Sequence, residues 1–225
     1  MVHRPTTKES MAAAFAVGLA IVLIARWAEG PGERVSVALR ATARWSFLLF
    51  WLASAGPALA TLFGSRFLPL ARRARDFGLA FASAHLAHLG VVAWIYFTSV
   101  DAPERSSLVF FGIAVFWTYL LAILSWNRLS AKLNPRVWRA LRTLGVEYIA
   151  YAFWIDFAIH TLQGGVVNFI VYLPFVILAV AGPELRLAAA LKRLSENRTV
   201  ATWDALGRRS GHLSGGASAR ELEPQ

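Results

Sequence analysis

The sequence predicts an all-α integral membrane protein, a bundle of six transmembrane helices with both termini cytoplasmic. Three observations lead there. Of 225 residues, 57% are hydrophobic and only 16% charged, where soluble domains carry about one quarter charged residues. Six apolar segments recur along the chain, and the basic residues gather in alternate connections between them.

The segments cover 10–28 (SMAAAFAVGLAIVLIARWA), 45–63 (WSFLLFWLASAGPALATLF), 77–99, 108–126 (LVFFGIAVFWTYLLAILSW), 146–163 and 165–182. Each is close to the roughly 20 residues a helix needs to cross a hydrocarbon core of about 30 Å. Helix is the state expected, because lipid leaves unpaired backbone groups unsatisfied and these runs lack barrel-type alternation. The first segment has the basic start of a signal peptide. It lacks a small-x-small cleavage site before WAEGPGER, so it reads as a retained span.

Arg4 and Lys8 lie in the amino-terminal tail, residues 1–9. Arg66, Arg72, Arg73 and Arg75 fill the second connection, and Arg128, Lys132, Arg136, Arg139 and Arg142 the fourth. Seven more basic residues follow the sixth span. The positive-inside rule therefore puts these connections and both termini in the cytoplasm. Arg26, Arg34, Arg40 and Arg44 run against the rule, since they fall in or beside the first outside loop. The net charge of +10 suits membrane orientation and lipid headgroups, and nucleic acid is not an expected partner.

Beyond the membrane domain of 10–182, PELRLAAALKRL sets Leu187, Leu191 and Leu194 at helical spacing beside Lys192 and Arg193. Residues 183–196 thus read as an interfacial amphipathic helix, and the polar, Gly/Ser-rich 197–225 as a disordered cytoplasmic tail. The chain has no cysteine, which excludes disulfides, cysteine-ligated iron–sulfur clusters and covalently attached c-type haem.

Ionisable groups inside spans are costly, so each needs a reason. The third span holds His85 and His88, and the fifth holds Glu147, Asp156 and His160. Such groups are either polar links between helices or the makings of a site. His88 lies about 16 Å into its span and His160 about 21 Å into its own, at roughly 1.5 Å per residue. Two histidines at similar depth on separate helices suit the axial positions of a haem, whereas zinc or di-iron would want more converging ligands. His85, one turn from His88, reads as an alternative ligand, a propionate partner or a helix–helix link. Asp156, one turn before His160, reads either as an acceptor orienting the imidazole or as a carboxylate in a polar cavity.

RRARDFGLAFASAHLAHL resembles the third-span motif of the ferric reductase-like transmembrane domain family, most closely its membrane haem-binding subunits of bacterial methionine sulfoxide reductase systems. There an arginine pair precedes a glycine, and the ligand histidine follows ten positions later, as His88 follows Gly78. Pro57 matches the proline of the second span. In the fifth span Tyr151 and His160 match a tyrosine and a second histidine, but Glu147 stands where the family has its first histidine. The resemblance covers about 45–182. It implies a haem b with His88 and His160 as iron ligands, and it puts a second site at the level of Glu147 in doubt.

Two functions are expected from this reading. One is an electron-transfer subunit of an oxidoreductase in the bacterial inner membrane, holding one haem b. It would take electrons from quinol or a cytoplasmic flavin reductase, with quinone or flavin as further cofactors, and pass them to a periplasmic reductase. The other is a non-redox membrane protein, a small transporter or scaffold subunit, using Glu147, Asp156 and His160 as a proton or ion path.

Overall fold

The computed structural model describes residues 6–28, 30, 33–98, 105–126, 129–163 and 165–215, with side chains through Thr199. No strand occurs among these residues. Helices α1 (Thr7–Ala28), α2 (Arg34–Phe63), α3 (Leu68–Arg72), α4 (Ala74–Thr98), α5 (Arg105–Trp126), α6 (Pro135–Gln163) and α7 (Gly165–Gly215) follow in order, with 3-10 turns at Gly64–Phe67 and Leu129–Lys132.

Local chemistry sets several helix ends. Thr6 and Glu9 form a reciprocal capping box at the start of α1: the Thr6 N–H donates to Glu9 Oε2 (2.7 Å) and the Glu9 N–H to Thr6 Oγ1 (3.3 Å). Asn134 Oδ1 accepts the Arg136 N–H at 2.9 Å, and Pro135 takes the first position of α6. The α6–α7 connection is so short that Gly165 turns the chain at φ +70°, a conformation glycine adopts without a Cβ clash.

Five helices, α1, α2, α4, α5 and α7, are long and apolar enough to cross a membrane. The remaining long helix, α6, spans 29 residues, about 44 Å at 1.5 Å per residue. Its Glu147, Asp156 and His160, and the arginines of its first three turns, leave it without the long apolar stretch that the other five contain. The surfaces suit contact with membrane lipid: Leu23, Ile24, Val109, Phe116, Ile123 and Val166 are all well exposed. Their number and size go beyond the scattered apolar residues of a soluble surface. The chain has the make-up of a multi-pass membrane protein.

Helices α2, α4, α5, α6 and α7 make a closed ring of neighbours, with α1 packed outside it against α2 and α4. Small residues let α1 approach closely: a Cβ on Gly18 would stand 2.9 Å from Ala87 Cβ. Polar links reinforce the contact. Thr7 Oγ1 donates to Asp76 Oδ1 (2.7 Å), Ser83 Oγ to the Met11 carbonyl (2.9 Å) and Trp45 Nε1 to the Ala14 carbonyl (3.0 Å).

Phenylalanines fill the ring's interior. Phe47 packs on Phe153, Phe157 and Phe175 at centroid distances of 5.2, 5.0 and 6.2 Å. Phe50 packs on Phe81 (5.3 Å) and Phe153 (5.7 Å), and Phe81 reaches Phe153 across the bundle at 6.1 Å. Four helices are thereby joined by one aromatic plug. The tilted and edge-on geometries are those that ring quadrupoles favour.

Three boundaries differ from the sequence reading. α2 begins at Arg34, so Arg34, Arg40 and Arg44 belong to a helix instead of the first loop. Residues 183–196 continue α7 without a break, and the backbone stays helical through Gly215, where composition pointed to a disordered tail from 197. That extension is held to the end of α2: Lys192 Nζ donates to the Thr61 carbonyl (2.9 Å) and Arg193 Nη2 to Thr61 Oγ1 (2.6 Å). Cations thus sit against the negative end of the α2 dipole. Residues 216–225 lie outside the described residues, as do residues 1–5 of the amino-terminal tail.

Candidate cofactor site

His88 projects from α4 toward α2, with Nδ1 3.1 Å from Thr42 Oγ1. The Thr42 hydroxyl has a single proton, and it lies 2.7 Å from the Ala38 carbonyl and 3.1 Å from that of Leu39. A carbonyl can only accept, so the hydroxyl proton goes to the backbone. Thr42 Oγ1 is then left as the acceptor of the His88 Nδ1–H. This fixes the His88 tautomer and leaves Nε2 with a free lone pair.

His160 reaches the same state by a different partner. Its Nδ1 lies 2.8 Å from the Asp156 carbonyl oxygen one turn back on α6. Since that oxygen can only accept, Nδ1 carries the proton and Nε2 again bears the lone pair. The Asp156 carboxylate is further away, with Oδ1 at 3.7 Å, beyond hydrogen-bonding distance. The backbone of Asp156, not its side chain, orients the ring. His160 also stacks on Tyr172 of α7, with centroids 5.2 Å apart and planes at 21°.

Arg44 links the two surroundings. Its guanidinium lies 4.3 Å from the centroid of Tyr172 on the ring face and 5.5 Å from that of Phe175, a cation–π arrangement inside the bundle. Thr42 and Arg44 are two residues apart on α2. One touches His88 and the other the ring on which His160 stacks, so one short stretch of α2 reaches the surroundings of both histidines.

His85 lies between Phe81 (5.5 Å), His88 (5.4 Å) and Tyr119 (6.3 Å), ring to ring. Its Nδ1 is buried with no hydrogen-bond partner among the described residues. Tyr172 OH and Arg44 Nε are likewise buried and unpartnered. Orphaned polar groups of this kind are rare in folded interiors, and here three of them surround the two ligand-like histidines.

The structure brings His85 together with His88 and Asp156 together with His160, while no hydrogen bond or ring contact joins the pairs among the described residues. Nor do three His, Cys, Asp or Glu side chains converge there into a metal-ion site. A haem would ask less of the protein, because the macrocycle brings most of the iron's ligands with it and His88 and His160 would supply the rest. Each imidazole has Nδ1 engaged and Nε2 bare, the state in which histidine can donate to a metal.

Glu147 belongs elsewhere. It accepts Arg186 Nε at Oε1 (2.9 Å) and Arg186 Nη2 at Oε2 (2.7 Å), a bidentate pair joining α6 to α7 at the basic end of the bundle. From Glu147 to Asp156 is nine residues, about 14 Å along the helix. Thr42 and Tyr172 were not among the residues the sequence singled out, and Arg44 stood out only as a charge against the positive-inside rule. Their place beside the histidines is revealed only by contacts across helices. No protein-family model, curated protein or solved structure matches this chain.

Proposed function

We propose that this chain is a membrane electron carrier with one haem b, held by His88 and His160. The observation that carries the reading is the shared state of the two imidazoles: both Nδ1 protons are pinned by acceptors, leaving both Nε2 lone pairs available to a metal. When bound there, haem supplies a one-electron iron couple in an apolar interior. Thr42 and the Asp156 carbonyl hold the rings in the ligating tautomer, and the surrounding aromatic side chains exclude water. Arg44, with Nε unpartnered, offers a cation to an anionic substituent of the cofactor.

In this reading six helices span the bacterial inner membrane, α6 among them, with the basic end of the bundle in the cytoplasm. Electrons enter there from quinol or a flavin reductase and leave on the opposite side to a periplasmic acceptor such as a methionine sulfoxide reductase. The resemblance in the third and fifth spans supports these partners. The alternative, a proton or ion path through Glu147, Asp156 and His160, has less support. Glu147 is engaged by Arg186, and about 14 Å of helix separates it from Asp156.

The test is a reduced-minus-oxidised spectrum of protein purified from cells supplied with haem precursors. A b-type band that is lost in both His88→Ala and His160→Ala, with each variant still folded, is the expected result. Absence of the band from the wild-type protein would sink the proposal.

A further inference from the structure

On the basic side of the aromatic plug lies a cavity of about 1430 Å³ bounded by residues of α2, α3, α4, α5, α6 and α7. Phe50, Leu79, Phe81 and Ile149 form its apolar wall, and two of these rings belong to the plug. Six arginines line it, Arg72, Arg75, Arg139, Arg142, Arg186 and Arg193, against two carboxylates, Glu147 and Glu184. Two arginines serve the fold: Arg75 donates to the Ser125 and Trp126 carbonyls, and Arg193 to Thr61. Arg72, Arg139 and Arg142 make no hydrogen bond or ion pair with the described residues. Arg186 gives two nitrogens to Glu147, while its third, Nη1, is buried without a partner.

We infer that this cavity binds a phosphate-bearing amphiphile, an anionic phospholipid with its phosphate among Arg139, Arg142 and Arg186 and its chains against the apolar wall. Size and charge select this occupant. The volume exceeds the roughly 300–1,000 Å³ usual for sites of small ligands. A neutral quinone head would leave the excess positive charge unanswered. Guanidinium pairs phosphate in a two-pronged geometry, and basic pockets between membrane helices hold acidic headgroups. Glu147 already shows Arg186 taking an oxyanion in this way, which leaves Nη1 for another. The proposal is independent of haem binding and holds whether or not His88 and His160 ligate iron.

Lipid-stripped protein in neutral detergent would be titrated with phosphatidylglycerol, phosphatidylcholine, inorganic phosphate and flavin mononucleotide, following thermal stability and, by native mass spectrometry, bound lipid. Phosphatidylglycerol is expected to bind at least about tenfold more tightly than phosphatidylcholine. Arg139→Gln/Arg142→Gln should weaken it about thirtyfold, at about one kcal/mol per basic side chain. Arg66→Gln, at the same end but outside the cavity, should leave it unchanged. Equal binding of the two lipids, or no effect of the double variant, would overturn the proposal. Displacement of phosphatidylglycerol by phosphate or flavin mononucleotide at equal concentration would assign the site to a soluble phosphate and overturn the lipid assignment.

Discussion

Glu147 and Arg186 face each other across α6 and α7 with two parallel hydrogen bonds, Nε to Oε1 at 2.9 Å and Nη2 to Oε2 at 2.7 Å. The sequence resemblance leads to the expectation of a histidine at the Glu147 position. A carboxylate there is not a spare ligand, because it neutralises a guanidinium only 18% exposed. Glu147→Gln should therefore destabilise the fold by on the order of 1 kcal/mol, given that Glu147 itself is half open to solvent. The double variant Glu147→Gln/Arg186→Gln should recover most of the loss. Thermal unfolding in detergent measures both, and the proposed haem spectrum should be unchanged in each.

Thr42→Val keeps the shape of the side chain and removes the acceptor of the His88 Nδ1–H. Haem retention should fall by about tenfold, the lower range for loss of a partner that orients a ligand, and Thr42→Ser should restore it. Haem content after dialysis against apomyoglobin reads this directly. A structural role alone would lower the melting temperature without separating Ser from Val in haem retention.

Tyr172→Phe should be close to neutral for stability, since the hydroxyl is buried without a partner among the described residues and the ring alone meets His160 and Arg44. Tyr172→Leu removes both the stacking face and the cation–π surface. It should cost about 1–3 kcal/mol and perturb the environment of His160. Unfolding midpoints of the two variants give the comparison.

Gly18→Val tests the seating of α1. Even a methyl group at this position would stand 2.9 Å from Ala87 Cβ, and alanine has no rotamer that moves it aside. The helices must separate, at about 1–3 kcal/mol. The Trp45–Ala14 hydrogen bond spans the same interface, so weakened protection of α1 in hydrogen exchange should accompany the lower midpoint.

The sequence by itself determined the helical class and the positions of the six long apolar segments. A run of some 18 apolar residues has few ways to satisfy its backbone outside water, so composition and length suffice. His85, His88, Asp156 and His160 stood out for the same reason, as costly polar groups in apolar surroundings. The tertiary structure decided what those groups meet. Thr42 fixes one imidazole and a backbone carbonyl the other, Arg44 lies over Tyr172 inside the bundle, and Glu147 is bound to an arginine 39 residues away. These partners are distant in sequence or belong to the backbone. Residue type cannot announce them, because whether Thr, Tyr or Arg on a helix faces lipid or another helix depends on how the helices are rotated and packed. That rotation is fixed collectively, here by the interlocking of Phe47, Phe50, Phe81, Phe153, Phe157 and Phe175.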